Sequence, residues 1–131
     1  MQKKKRRKRR RGYHRGLYVS DIAGECKFRS SWEEKYMKFL DADPTVSQWS
    51  YEKIIIEYVA NKTTGKIRKY YPDFYVEHKD GTKILVEIKQ SRKLDQLAVK
   101  KKAAAAEAWC KIRNATYRIL TEIELKELGI L

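Results

Sequence analysis

Cysteine and histidine occur only twice each in the 131 residues, and their scarcity narrows the chemistry open to the chain. Cys26 and Cys110 stand far apart and share no metal-ligand spacing with His14 and His78. They read as reduced thiols of an intracellular protein, a single structural disulfide being the alternative. Long apolar runs are missing as well. Nothing approaches the roughly 18 to 20 residues of a membrane span, and no apolar segment follows the basic start as it would in a signal peptide, so neither a membrane anchor nor a leader is expected. Acidic residues are the third shortage: 17 Asp and Glu face 31 Lys and Arg, for a net charge of +14. Nine of those charges form one unbroken run, Lys3, Lys4, Lys5, Arg6, Arg7, Lys8, Arg9, Arg10 and Arg11. Such a surplus suits a polyanionic partner, whether nucleic acid, an anionic membrane or an acidic protein.

What is present is enough for one domain. Apolar residues make up 42% of the chain and aromatics 11%, sufficient for a core at this length. Residues 1–27 show no apolar period and read as a basic N-terminal arm without helix or strand, disordered along its charge run because adjacent cations repel. The domain is expected over residues 28–131. Ser30-Ser31-Trp32-Glu33 matches the S-x-x-E capping box, and Trp32, Tyr36, Phe39 and Leu40 keep a helical period, which predicts a helix over about 31–41 stopped by Asp43-Pro44. The β-branched run 54–59 and the aromatic run 67–77, separated by a turn-rich Asn61–Gly65 segment, predict two strands and a hairpin. Asp80-Gly81 predicts a two-residue turn into a third strand over 82–88. A long helix over 94–114, a strand over 117–120 and a capped last helix from Thr121 to Gly129 complete the order α-βββ-α-β-α. The fold class is α/β, a mixed four-stranded sheet flanked by helices.

Chemistry concentrates where the second and third strands meet. Side chains alternate along a strand, so Glu87 and Lys89 share one face and Ile88 takes the other. A helix-covered sheet buries both charged residues, where each needs a partner. The hairpin brings Asp73 beside Glu87, and two converging carboxylates suit a hard divalent cation, Mg²⁺ or Mn²⁺. A lysine beside them can act on a water or on charge developing at a phosphate. An ordinary cross-strand ion pair would explain Glu87 and Lys89 equally well. The first helix adds Glu33, whose position flanks the apolar stripe; the capping box alone also accounts for it.

These residues resemble the PD-(D/E)XK nuclease superfamily: Glu33, Pro72-Asp73 and Glu87-x-Lys89 fall on α, β and β elements in that order. The flanking stretches, Phe28 to Glu33, Trp49 to Glu52, Tyr70 to Phe74 and Val86 to Lys89, are similar to TnsA-like endonucleases and within them to the head-completion nucleases of T-even-type tailed phages. The likeness spans about residues 28–90. It implies a restriction-endonuclease-like core and a metal-dependent DNA endonuclease, using Mg²⁺ with Mn²⁺ as substitute. In this pattern Asp73, Glu87 and the Ile88 carbonyl bind the metal, Lys89 acts on the attacking water, and Glu33 binds or positions a metal or its water. Gln90 follows the motif lysine and is expected at the scissile strand. The substrate implied is duplex or branched DNA, cut at packaging or head maturation. Phage portal, capsid or neck proteins, and a second copy of the chain, are the further partners implied, in the host cytoplasm and the virion. A TnsA-like transposase cutting subunit and an inactive DNA-binding virion protein are the alternatives.

Remaining features carry a plainer reading beside the functional one. Arg29 and Lys93, with the arm, are expected to contact DNA phosphates, and Lys100, Lys101 and Lys102 could track the backbone or simply face solvent. Trp32, Trp49, Tyr70 and Tyr71 could stack on bases, although aromatics at strand and helix spacing are more often core. Neither cysteine sits in a nucleophile context.

Overall fold

The computed structural model describes residues 15–131. The run Lys3–Arg11, expected to be disordered, lies outside them.

A hairpin opens the described chain, strand β1 (Gly16–Ser20) pairing antiparallel with β2 (Gly24–Phe28). This corrects the expectation that nothing regular precedes residue 28. On β1 the apolar Leu17 and Val19 are exposed and the inward positions are Tyr18 and Ser20, while β2 buries Cys26 and Phe28, and the hairpin is held by tertiary contacts. Tyr18 Oη and Ser20 Oγ both donate to the Asp41 carboxylate, Ser20 at 2.8 Å, and Trp49 Nε1 donates to the same group at 2.8 Å. Gly16 is required by close approach: a β-carbon there would stand 2.4 Å from the Phe28 ring.

Helix α1 (Ser31–Ala42) follows, with the Ser30 hydroxyl accepting the Glu33 N–H at 3.2 Å. Tyr36, Met37 and Leu40 form its buried stripe, and Glu33 stands in line with them. Strand β3 (Val46–Tyr51) adds an element that the sequence pattern does not predict. Its buried residues are Val46, Trp49 and Tyr51, and a register shift between Val46 and Gln48 breaks the alternation that would mark a strand.

Strands β4 (Ile56–Asn61) and β5 (Lys66–Tyr70) form the expected hairpin, but as a separate two-stranded sheet. The single strand expected over 67–77 is broken: β5 ends at Tyr70 and β6 (Phe74–His78) begins after Pro72-Asp73. Pro72 has no N–H to give a ladder, so the chain leaves one sheet there and enters another. Four residues, not two, connect β6 to β7 (Lys83–Ile88), with Thr82 O accepting from His78 N at 2.8 Å. A 3₁₀ turn (Ser91–Lys93), helix α2 (Leu97–Ile112), strand β8 (Thr116–Leu120) and helix α3 (Glu122–Glu127) complete the chain. Thr121 and Glu124 form the full reciprocal capping box at the start of α3.

The main sheet runs β3-β6-β7-β8, antiparallel except for the parallel β7-β8 pair that α2 connects. With its helices it keeps the order α-βββ-α-β-α, β3 taking the place expected for residues 54–59. Two apolar clusters cover its faces. Against α1, Phe74 is fully buried, its ring centroid 4.9 Å from that of Tyr36 and 5.3 Å from that of Tyr51. On the other face Leu85, Tyr70 and Ile56 pack with Ala106 and Cys110 of α2. Cys26 belongs to the first cluster and Cys110 to the second, and both are free thiols, pushed up from the usual range by burial. Among the described residues no helix is long and apolar enough to cross a membrane.

Candidate active site

The β6–β7 ladder ends at the Phe74–Val86 pair, so Asp73, just before β6, and Glu87, next along β7, come to the same end of the sheet. Pro72 separates β5 from β6 and delivers Asp73 to this position, while the Ile88 N–H donates to Asp73 Oδ2 at 2.8 Å and closes the corner. Leu85, in the cluster under α2, fixes which face Glu87 shares. Both acids are buried, Asp73 8% and Glu87 9% exposed. They open into a cleft of about 960 Å³ whose wall also includes Glu33, Ile88, Lys89, Gln90 and Lys93.

The charges in this corner bear on the two acids. Burial, then the neighbouring charges of Glu87 and Glu33, hold the Asp73 carboxyl well above the ordinary carboxylate range, against the pull of the Ile88 N–H and Lys89. Burial likewise raises Glu87, opposed by the Tyr70 hydroxyl and Lys89. Lys89 Nζ lies 3.6 Å from Glu87 Oε2. Two buried carboxylates that repel one another, with one lysine in contact, are short of positive charge.

Glu33 has two attachments. Its N–H completes the helix cap, but its carboxylate does not fold back to the Ser30 N–H as the reciprocal box requires. Glu33 Oε1 accepts instead from Tyr51 Oη at 2.6 Å and from the Arg29 N–H at 3.0 Å. Its charge is felt at Asp73. Among the described residues, however, no three His, Cys, Asp or Glu side chains gather at metal-binding spacing.

The site also contains residues that motif reading misses. Tyr70 Oη donates to Glu87 Oε1 at 2.8 Å and lies 2.9 Å from Tyr117 Oη, so Tyr70 is a buried partner of the motif glutamate and no stacking platform. Burial and the Glu87 charge push its hydroxyl up, which keeps it a donor. Lys102 Nζ stands 5.6 Å from the Tyr70 ring centroid and lines the cleft, whereas Lys101 donates to the Ala60 carbonyl at 2.6 Å. Lys100 and Lys101 line a different groove, between β4 and α2. Trp49 is core, Trp32 and Tyr71 reach the cleft wall, and Arg92 joins them with its Nε on Gln90 Oε1 at 3.0 Å. At the cleft, Arg29 Nη2 meets Glu52 Oε2 at 3.0 Å. Tyr70 carries no sequence signal beyond its place before Pro72-Asp73, because its bond to Glu87 spans two different sheets.

A buried Asp and Glu with an adjoining Lys, at one end of a helix-flanked mixed sheet, form the arrangement expected of a nuclease domain of the PD-(D/E)XK class. The chain belongs to the TnsA-like endonuclease N-terminal family, whose model matches residues 43–122. It is also similar to the head completion nuclease of Enterobacteria phage T4, with 29% identity over 136 residues that cover 85% of this chain and 90% of that protein.

Proposed function

We propose that this endonuclease is a Mg²⁺-dependent phage head-completion nuclease that hydrolyses DNA phosphodiester bonds at packaging or head maturation. The observation that carries the reading is the Asp73–Glu87 pair, buried, raised and facing the cleft with Lys89 beside it. The donors fit a hard cation: both carboxylates and the neighbouring Ile88 carbonyl are oxygen ligands, and Mg²⁺ usually keeps waters in its remaining positions. A divalent ion held there supplies positive charge against which a phosphate oxygen and an attacking water are polarised. The chain's own residues do the rest. Tyr70 fixes one oxygen of Glu87, and the Ile88 N–H fixes one oxygen of Asp73. Lys89 orients the water and stabilises charge developing on the phosphate. Glu33, held by Tyr51, positions the water's approach from the α1 side of the cleft. Gln90, Lys93 and Arg29 on the cleft wall meet the strand.

The likeness to a T4 head completion nuclease along nearly all of its length favours this reading over a transposase subunit, and the intact Asp73, Glu87 and Lys89 set favours an active enzyme over an inert DNA-binding virion protein. In the same reading the protein works in the host cytoplasm, meets portal, capsid or neck proteins, and pairs with a second copy to cut both strands. The test is incubation with branched, nicked and linear DNA, in Mg²⁺ and in EDTA. Cleavage in Mg²⁺ that EDTA and Asp73→Asn both abolish is expected; wild-type cutting by Asp73→Asn in saturating Mg²⁺ would overturn the site.

A further inference from the structure

Glu52 follows the last residue of β3 in a backbone conformation that suits glycine. Its φ is +52°, in the left-handed region, and among the described residues only Asn114 shares that feature outside glycine. Asparagine tolerates the region well and glutamate does not. A carboxylate therefore sits where the main chain disfavours a glutamate, and such outliers concentrate at functional sites. The Glu52 N–H donates to the Asp73 carbonyl at 2.9 Å, so the strained residue is fastened directly to the motif aspartate. Its side chain is 22% exposed and grips Arg29 Nη2 at 3.0 Å, while the Arg29 side chain is 62% exposed.

Arg29 is fixed at a second point. Its main-chain N–H donates to Glu33 Oε1 at 3.0 Å. Six cations line the cleft, Arg29, Lys69, Lys89, Arg92, Lys93 and Lys102, and of these only Arg29 and Lys89 are tied to a carboxylate among the described residues. An arginine presents five N–H donors in a planar fork, so the bond to Glu52 leaves others for a bidentate phosphate contact. Stability does not explain the pair, because an ion pair this exposed contributes little.

We propose that Glu52 is a positioning residue that holds the Arg29 guanidinium at the cleft as a clamp on a backbone phosphate of the strand being cut. This rests on the nuclease reading above. The clamp sets where the strand lies relative to Asp73, because the same residue that grips Arg29 is bonded through its main chain to Asp73.

The test compares Glu52→Gly, Glu52→Gln, Arg29→Ala and the Arg29→Ala/Glu52→Gly double variant in single-turnover cleavage of a duplex at saturating protein, beside thermal melts. Glu52→Gly is expected to melt at or above the wild-type temperature, since glycine suits the backbone, and to cut at least tenfold more slowly. Glu52→Gln, which keeps a hydrogen-bond acceptor for Arg29, recovers part of the rate. Arg29→Ala cuts at least tenfold more slowly, and the double variant is no more than about twofold slower than the slower single variant, because both changes remove one device. Wild-type cutting by a folded Glu52→Gly protein, a Glu52→Gln protein no faster than Glu52→Gly, or single effects that multiply in the double variant, would overturn the clamp. Asp73→Asn is the control: if it cuts like the wild type, the nuclease site itself is misplaced and the clamp falls with it.

Discussion

Tyr70 shows how the candidate site depends on groups outside its motif. Its hydroxyl holds Glu87 Oε1 and meets Tyr117 Oη, so the orientation of a metal-binding candidate rests on a residue of a different sheet. Tyr70→Phe keeps the ring in its pocket and removes the donor. A fall in cleavage of about 10- to 100-fold is expected, the usual cost of losing a ligand's supporting hydrogen bond, with Mg²⁺ demand rising in parallel. Asp73→Asn makes a contrasting case. The asparagine oxygen can still accept the Ile88 N–H, while the repulsion from Glu87 and Glu33 disappears. Activity should fall by orders of magnitude, yet the metal-free protein should melt about 2 to 5 °C higher, because a buried, poorly compensated charge has been removed. In the wild type, Mg²⁺ at about 100 times its dissociation constant should stabilise by about 2.7 kcal/mol, roughly 10 °C for a chain of this size, and Asp73→Asn should lose that shift. Differential scanning fluorimetry with and without EDTA reads both. A melting temperature indifferent to Mg²⁺ would remove the metal from this corner.

At the scale of elements, legibility follows whether a segment's periodicity is its own. Helices α1 and α3 carry their own caps, and α1 its own apolar stripe, so their positions can be read directly. The Asp73–Glu87–Lys89 group is legible for the same reason: strand alternation and one hairpin place it, and neither requires knowing what packs elsewhere. Strand β3 is hidden by the shift after Val46. The β1–β2 hairpin is hidden because its inward side is polar at Tyr18 and Ser20, and the group that satisfies them, Asp41, lies across the chain on α1. Glu52 is hidden because only its backbone conformation and its partner distinguish it. The Asp41 latch gives a test at this scale. Asp41→Ala leaves Ser20 Oγ and Trp49 Nε1 without their shared acceptor, and each orphaned, part-buried donor costs about 1 to 3 kcal/mol. The hairpin should loosen first. Hydrogen exchange over residues 16–28 should accelerate at least tenfold, with the β6 and β7 amides changing less; equal acceleration everywhere would mean that Asp41 supports the whole core and no separate latch exists.

For the whole molecule the question is how a small basic domain holds a long polyanion. The cleft offers six cations, and the Lys3–Arg11 run offers nine more. On duplex DNA each neutralised phosphate contributes about −0.9 to the slope of log affinity against log salt. If about five to seven of the nine engage, deleting residues 1–11 should flatten that slope by about 4 to 6 units and remove most of the low-salt affinity. The cut itself should persist, because the run holds substrate and transition state alike: half-maximal rate should need more DNA while the rate at saturation stays the same. Lys89→Ala works the other way, abolishing turnover while leaving affinity within a few-fold, since one lysine of 31 basic residues adds little to binding but acts at the reacting phosphate. The two variants thus separate holding from cutting. A deletion that leaves the salt slope unchanged would assign the run to an acidic capsid or portal surface, and DNA binding to the cleft alone.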